Sequence, residues 1–164
     1  MGVSGCGKTT TGQALAQAQG WPFVDGDDFH PPANVAKMAA GTPLTDDDRW
    51  PWLDRLAADM RAIHTRGGSA VLACSALKQA YRDRLAGWAG AGRTVRFVHL
   101  AGDFDTLAAR IATRQHRYMP ASLLASQFAT LEPPADAIVV DVRLPVEGQV
   151  AAIRAALADA GVTP

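Results

Sequence analysis

The stretch G-V-S-G-C-G-K-T at residues 2–9 decides how the rest of the chain is interpreted. It matches the phosphate-binding pattern G-x-x-x-x-G-K-[ST] at every fixed position. Its glycines let successive backbone N–H groups point into one concavity, and the helix that follows adds the positive end of its dipole. The alternative is a glycine-rich turn that only opens an ordinary helix. We predict that a nucleotide is bound by Gly2, Val3, Ser4, Gly5, Cys6, Gly7, Lys8, Thr9 and Thr10.

Individual side chains of this stretch carry further expectations. Lys8 would reach the β- and γ-phosphates of ATP, and the Thr9 hydroxyl would bind Mg²⁺. Cys6 lies near a helix N-terminus and Lys8, which together would lower the pKa of a thiol and make it redox-sensitive. The alternative for Cys6 is a small residue tolerated at a variable position. Cys74 ends a hydrophobic run and is predicted to be buried, so the two cysteines do not indicate a disulfide framework.

The context of the motif departs from the usual pattern, because the motif normally follows a buried β-strand and only Met1 precedes it here. Four or five buried apolar side chains contribute roughly 6–12 kcal/mol, at ~1.5–3 kcal/mol each. The whole stability of a domain is about 5–15 kcal/mol. We therefore expect the natural chain to begin upstream of Met1, with Met1 at the end of that strand.

Composition indicates one globular domain over residues 1–164. The chain is 48% hydrophobic and 20% charged, and its formal net charge is zero. A neutral balance gives no indication of a nucleic-acid or membrane surface. No apolar run reaches the length of a spanning helix and no signal peptide is visible, so we expect a cytoplasmic protein.

Predicted strands and helices alternate along the chain. Strands are predicted at 23–25, 70–74, 94–100 and 137–142, and helices at 8–19, 32–40, 46–66, after 78, at 103–114, through 128–131 and at 146–160. This alternation favours an α/β fold with a parallel sheet and helices on both faces. A helical substrate-binding region is predicted at about 30–66. A polar, arginine-rich segment at about 114–120 is predicted to be a lid over the phosphates.

Five further segments resemble the small bacterial-type gluconokinases: DGDDFHP (25–31), PANVAKMAAGTPLTDDDRWPWL (32–53), CSALKQAYRDRL (74–85), LAGDFD (100–105) and LLASQFATLEPP (123–134). The resemblance implies a P-loop kinase three-layer sandwich with sheet order 2-3-1-4-5, whose central first strand is missing or truncated here. It also implies ATP-dependent phosphorylation of D-gluconate to 6-phospho-D-gluconate, and a homodimer. The chain departs from the family's lid pattern R-x-x-H-F-M, because Arg117 stands where the histidine is expected and His116 comes one position early.

Carboxylates follow the first predicted strand at its carboxyl end, where ligands bind in open α/β sheets. Asp25 is predicted to support Mg²⁺, directly or through water. Asp27 is predicted to accept the proton of the attacking hydroxyl and so to be catalytic. The alternative for this acidic cluster is loop solvation and capping, which suits Asp28.

Cationic groups are candidates for binding the acid substrate and the transferring phosphate. Arg49 and Arg82 could bind a carboxylate bidentately, although Arg49 could instead pair with Asp46 or Asp47 and Arg82 could be a solvated helix residue. Lys78 could support substrate or phosphate, and His30 could bind a sugar hydroxyl or be structural. Arg110 and the catalytic candidate Arg114 lie four residues apart on one helix face, where one could stack on adenine and the other meet the phosphate, or both could be solvated.

Two competing hypotheses accompany the gluconate kinase. Shikimate kinase is the nearest enzyme, but its glycine-triplet substrate motif is missing where residues 74–76 read C-S-A. A nucleotide-binding remnant without catalysis belongs to a different class and is motivated by the short start of the chain.

Overall fold

Helices and strands alternate as predicted in the computed structural model, which describes residues 1–89, 95–113 and 121–162. The lid predicted at about 114–120, with Arg114, His116 and Arg117, lies outside the described residues. The described elements are α1 (Lys8–Gln19), β1 (Phe23–Asp25), α2 (Pro32–Ala39), α3 (Asp46–Thr65), β2 (Val71–Ala73), α4 (Gln79–Ala86), β3 (Val98–Ala101), α5 (Phe104–Thr113), α6 (Ala121–Thr130), β4 (Ile138–Asp141) and α7 (Val146–Asp159). A short 3-10 helix, Gly26–Phe29, follows β1 where the sequence predicted only an acidic bend.

Local chemistry explains where the helices near the site begin and end. Gly7 (φ 98°) precedes α1 in the left-handed region, and Gly20 (φ 69°) ends the helix in the same region. Thr45 caps α3: its hydroxyl accepts the Asp48 amide while the Asp48 carboxylate accepts the Thr45 amide. None of the described helices is long and apolar enough to cross a membrane.

The described strands form two parallel pairs, β1 with β2 and β3 with β4. Backbone at the chain start lies between the pairs. The Met1 amino group donates to the Val98 carbonyl at 2.5 Å and the Met1 carbonyl accepts from the Leu100 amide at 3.0 Å. The Gly2 amide donates to the Ser75 carbonyl at 3.1 Å, on the side of β2. Residues 1 and 2 therefore connect the two pairs at the ends of their strands.

A mostly apolar cleft of about 240 Å³ continues from Met1 between the two strand pairs. Burial at its end lowers the pKa of the Met1 amine to about 6. The cleft separates the two pairs along most of their length, so the described strands are two pairs rather than one continuous sheet. Its apolar lining includes Leu15, Met60, Ile63, Val71, Leu72, Phe97, Val98, Leu100, Ile153 and Leu157.

Candidate active site

The phosphate-binding loop has the backbone geometry that its motif predicts. Gly5 (φ 81°) and Gly7 (φ 98°) adopt the left-handed conformations that turn successive amides into one concavity. The Val3 and Cys6 side chains point away from that concavity into the core, where they are 2% and 0% exposed. A buried Cys6 thiol is inaccessible to oxidants, so the structure favours the interpretation of Cys6 as a small packing residue over a redox-sensitive one.

Hydrogen bonds join the loop to the acidic turn after β1. The Thr9 hydroxyl donates to Asp25 Oδ2 at 2.8 Å, and Asp25 Oδ1 accepts the Asp27 amide at 3.1 Å. Lys8 Nζ donates to the Val3 carbonyl at 3.1 Å, folded back over the loop. The structure therefore brings together Thr9 and Asp25, the two residues predicted to hold Mg²⁺.

The acidic turn packs directly on β2. The Trp52 indole donates to the Gly26 carbonyl at 2.7 Å, and a Cβ on Gly26 would lie 2.8 Å from the Ala73 carbonyl oxygen. Only glycine allows this close approach. The side chain of the neighbouring Asp27 is 78% exposed. Burial raises the pKa of the Cys74 thiol, which directly follows β2, to about 11.

His30 is packed rather than open. Its ring stacks on Trp52 with centroids 4.1 Å apart, and its side chain is 5% exposed. Burial lowers the pKa of His30, which is therefore neutral at pH 7. Nε2 lies 3.9 Å from Asp27 Oδ1, and Nδ1 is buried with no hydrogen-bond partner among the described residues. Trp52 belongs to the core.

Arg49 is half-buried, and its described hydrogen bonds all come from one nitrogen of the guanidinium. Nη1 donates to the Leu44 and Thr45 carbonyls and, at 3.5 Å, to the Tyr81 hydroxyl. Nε and Nη2 make no hydrogen bond to any described residue. Among described groups, Arg49 forms no ion pair with Asp46 or Asp47, so that alternative is wrong. Burial is the largest cause of the lowered pKa of His30, and the charge of Arg49 adds to the lowering.

Asp46 instead binds Lys78 and Tyr81. Lys78 Nζ donates to both Asp46 oxygens, at 2.7 and 2.8 Å, and the Tyr81 hydroxyl donates to Oδ1 at 2.5 Å. The hydrogen bonds from Lys78 and then from Tyr81 lower the pKa of Asp46, and Asp46 in turn raises the pKa of Lys78. From the sequence, Asp46 was only a possible partner of Arg49 and Tyr81 had no role, because nothing local marks residues 35 positions apart as partners.

Arg82 corrects a prediction. It is only 2% exposed, so it is not a solvated helix residue, and its Nε is buried with no hydrogen-bond partner among the described residues. Its guanidinium donates to the Ala76 and Leu77 carbonyls, both at 3.0 Å, and to the Gln79 side chain at 2.8 Å. These carbonyls belong to the turn between β2 and α4, where Ala76 has a φ of 45°. The arginine points back toward the start of its own helix and satisfies that turn.

The other cationic candidate that the structure describes lies at the end of β4. Arg110 Nη2 donates to the Val142 carbonyl at 2.6 Å. The structure also shows a contact that the sequence did not predict: the Ser4 amide of the phosphate loop donates to Gln127 Oε1 at 2.6 Å. Gln127 lies in α6, which follows the predicted lid, so this helix is fastened directly to the loop.

The described residues contain no group of three or more histidine, cysteine, aspartate or glutamate side chains that could hold a metal ion. Thr9 and Asp25 provide side-chain oxygens 2.8 Å apart at the start of α1.

Comparison with known proteins supplies the family. Residues 1–134 match the family described as AAA domain. The chain is 51% identical over 136 residues to the gluconokinase of Gluconobacter oxydans (strain 621H), covering 83% of this chain and 75% of that protein. It is 40% identical over 155 residues to the thermoresistant gluconokinase of Escherichia coli (strain K12), covering 92% and 87%.

A crystal structure of a gluconokinase from Sinorhizobium meliloti 1021 shares 45% sequence identity with the chain and superposes on it with a TM-score of 0.85, covering 98% of this chain and 90% of that one. The predicted α/β fold of the P-loop kinase kind is thereby confirmed, as is the resemblance read from the sequence. The chain belongs to the gluconokinase family of P-loop kinases.

Proposed function

We propose that this protein transfers the γ-phosphoryl group of ATP to the terminal hydroxyl of D-gluconate and forms 6-phospho-D-gluconate. The observation that carries the proposal is the chain of hydrogen bonds from Thr9 through Asp25 to the Asp27 amide. It joins a phosphate-binding loop to an acidic turn with an exposed carboxylate. Phosphoryl transfer needs this combination, because positioning and charge neutralisation supply most of the catalysis.

Nucleotide binding uses the loop backbone and Lys8. The amides of residues 2–10 surround the phosphates, and the Lys8 ammonium exchanges its bond to the Val3 carbonyl for the β- and γ-phosphates. Arg110 is assigned to the nucleotide side, and Arg114, outside the described residues, to the transferring phosphate.

Thr9 and Asp25 fit Mg²⁺, because that ion takes oxygen ligands, keeps several waters and is usually bound by one or two protein groups plus phosphates. When bound there, the ion neutralises the charge that develops on the phosphates. Asp25 also orients the turn through the Asp27 amide, whether or not the ion is bound.

Asp27 accepts the proton of the attacking hydroxyl, and the open edge of Arg49 binds the substrate carboxylate. The Asp27 side chain is 78% exposed, and the neutral His30 beside it is assigned to a sugar hydroxyl through Nε2. The Nε and Nη2 groups of Arg49 form the parallel pair of donors that binds a carboxylate bidentately. Acid and alcohol of one substrate would thus contact opposite ends of the same site.

The assay is gluconate-dependent formation of ADP by purified protein, with glucitol as the matched substrate that lacks the carboxylate. Turnover with gluconate and almost none with glucitol is expected. Turnover with shikimate or a nucleoside monophosphate in place of gluconate would identify a different kinase. ATP binding without any turnover would identify the nucleotide-binding remnant.

We further propose that the two strand pairs are the outer parts of one parallel sheet of order 2-3-1-4-5, whose central position is the cleft that begins at Met1. Backbone hydrogen bonds from Met1 and Gly2 to both sides support this assignment. An apolar segment of four residues fused before Met1 is expected to raise the thermal midpoint and to protect amides of β2 and β3 from hydrogen exchange. A fused segment of alternating serine and glycine is the control. Equal behaviour of the two fusions would refute the assignment.

A homodimer located in the cytoplasm, with no nucleic-acid or membrane partner, completes the proposal. The resemblance supports the dimer, and the zero net charge supports the absence of polyanionic partners. Light scattering of the purified protein gives the oligomeric state, and a monomer at micromolar concentration would refute the dimer.

A further inference from the structure

One cluster of charged and polar side chains in the site contains residues to which the proposed function gives no role. Asp46, Lys78 and Tyr81 connect the first turn of α3 to the start of α4, immediately beside Arg49. The two cations lie over the Tyr81 ring, each 5.5 Å from its centroid. The cluster therefore contains two positive charges, one negative charge and a phenol.

Lys78 is already paired in this cluster. Its ammonium contacts both Asp46 oxygens at 2.7 and 2.8 Å, so one charge cancels the other. The remaining net charge of the cluster is +1, located on Arg49. That charge matches a single substrate carboxylate.

The Tyr81 hydroxyl connects this ion pair to Arg49 through hydrogen bonds. It donates its only proton to Asp46 at 2.5 Å, which leaves its oxygen lone pairs for Arg49 Nη1 at 3.5 Å. The residue is 2% exposed, and its ring packs edge-on against Trp50, with centroids 5.5 Å apart. A phenol fixed in this way holds Nη1 and leaves the Nε–Nη2 edge without a described hydrogen-bond partner.

We propose that Asp46, Lys78 and Tyr81 are positioning residues that hold Arg49 for the substrate carboxylate, and that Lys78 makes no contact with the substrate. The inference rests on the proposed function, since it assigns the carboxylate to Arg49. It also revises the sequence-based prediction that Lys78 supports substrate or phosphate directly.

The proposal predicts a large rise in KM for a single substitution and a near-normal KM for a double substitution. Lys78→Met leaves the Asp46 charge unpaired close to the incoming carboxylate, and KM for gluconate is expected to rise roughly tenfold or more. Asp46→Asn combined with Lys78→Met removes both charges and keeps an oxygen that accepts the Tyr81 proton. KM for the double variant is expected to return to within about threefold of the original value. A direct Lys78 contact with gluconate predicts instead that the double variant is as weak as Lys78→Met.

Tyr81→Phe tests the connection through the Tyr81 hydroxyl. It removes the hydroxyl and retains the ring, so KM for gluconate is expected to rise roughly threefold to tenfold while kcat and KM for ATP change little. A merely structural role would lower the thermal midpoint without this selective change in KM.

The ion pair between Arg84 and Asp54 is a matched control. It also joins α3 to α4: Arg84 Nε and Nη2 donate to the two Asp54 oxygens at 2.5 and 2.8 Å. Both side chains are about half exposed and lie outside the cluster. Asp54→Asn is expected to leave KM for gluconate unchanged. If Asp54→Asn and Lys78→Met shift the thermal midpoint equally and neither changes KM, the proposal is refuted.

Binding of gluconate by calorimetry separates failure of this proposal from failure of the proposed function. A protein that binds gluconate without phosphorylating it overturns the function, yet the same variants then test the cluster through Kd. A protein that does not bind gluconate at all overturns both. Binding and turnover that survive Lys78→Met unchanged overturn only the cluster.

Discussion

Replacement of Gly26 by alanine tests whether the packing of the acidic turn on β2 sets the position of the catalytic carboxylate. Gly26 lies between Asp25 and Asp27, and the new Cβ would lie 2.8 Å from the Ala73 carbonyl oxygen. The Leu56 and Trp52 side chains would lie 3.3 and 3.4 Å away, so neither side leaves free space. Because backbone rather than a flexible side chain blocks the methyl group, the turn itself must move.

The expected displacement follows from these distances. A carbon–oxygen contact near 3.4 Å requires the turn to shift by about half an ångström. Overpacking of this kind costs about 1–3 kcal/mol. For a chain of this size, that cost lowers the thermal midpoint by roughly 2–10 °C. Since a misplacement of about 1 Å in an active site can reduce the rate about a hundredfold, kcat is expected to fall roughly tenfold.

The assay compares kcat, KM for ATP and thermal midpoint of Gly26→Ala with those of Gly148→Ala. Gly148 lies inside α7, and its Cβ would meet atoms at 3.6–3.8 Å, which is ordinary contact. Gly148→Ala is therefore expected to be neutral or to stabilise the protein by about 0.5–1 kcal/mol. If Gly26→Ala lowers the thermal midpoint and leaves kcat unchanged, the turn does not position the reacting groups and the role of Asp27 is wrong.

Three further predictions concern Asp27, the metal site and pH. Asp27→Asn is expected to lower kcat about 100-fold or more with little change in KM for ATP, and an equal loss of both would refute its role as the proton acceptor. Thr9→Val is expected to raise the Mg²⁺ concentration needed for half-maximal turnover, measured by magnesium titration at fixed ATP, and an unchanged requirement would exclude Thr9 as a ligand. Burial lowers the pKa of His30 and His99 below the ordinary value of 6.5. Below pH 6.5 the unfolded state therefore binds more protons than the folded state. The free energy of unfolding then falls as pH decreases. The Met1 amine, with its pKa lowered from 8.0 to about 6, acts in the same direction between those values. Denaturant unfolding from pH 8 to 5.5 measures the slope, which His99→Gln should reduce below pH 6.5; an undiminished slope would rule out the His99 contribution.

The sequence predicted the elements well where local signals determine them. The glycines of the phosphate loop, the capping box at Thr45 and the glycine after α1 each specify a backbone conformation within a few residues. Strand β3 begins at Val98 rather than near residue 94, because strand assignment depends on the pairing with β4. The family-specific segments placed the chain among gluconokinases before any contact was known.

Whether the position of a candidate site residue could be predicted depended on which parts of the chain its contacts join. Thr9 and Asp25 meet because a loop before a helix and the carboxyl end of the following parallel strand meet at one sheet edge, which sequence order already implies. The arginines could not be distinguished in this way. Arg49 and Arg82 look alike in the sequence, yet the Nε–Nη2 edge of Arg49 has no described hydrogen-bond partner, whereas Arg82 is buried against carbonyls of a turn.

By itself, the sequence determined the phosphate loop, the alternation of strands and helices, the acidic turn and the family, because each is encoded in residues close together in the chain. Only the tertiary structure decided which charges face the substrate and which neutralise each other. The Asp46–Lys78 pair, the stacking of His30 on Trp52 and the bond from Gln127 to the phosphate loop are such contacts. They depend on how helices and turns distant in the chain pack together, and burial then determines whether a charged or polar group is left available for chemistry.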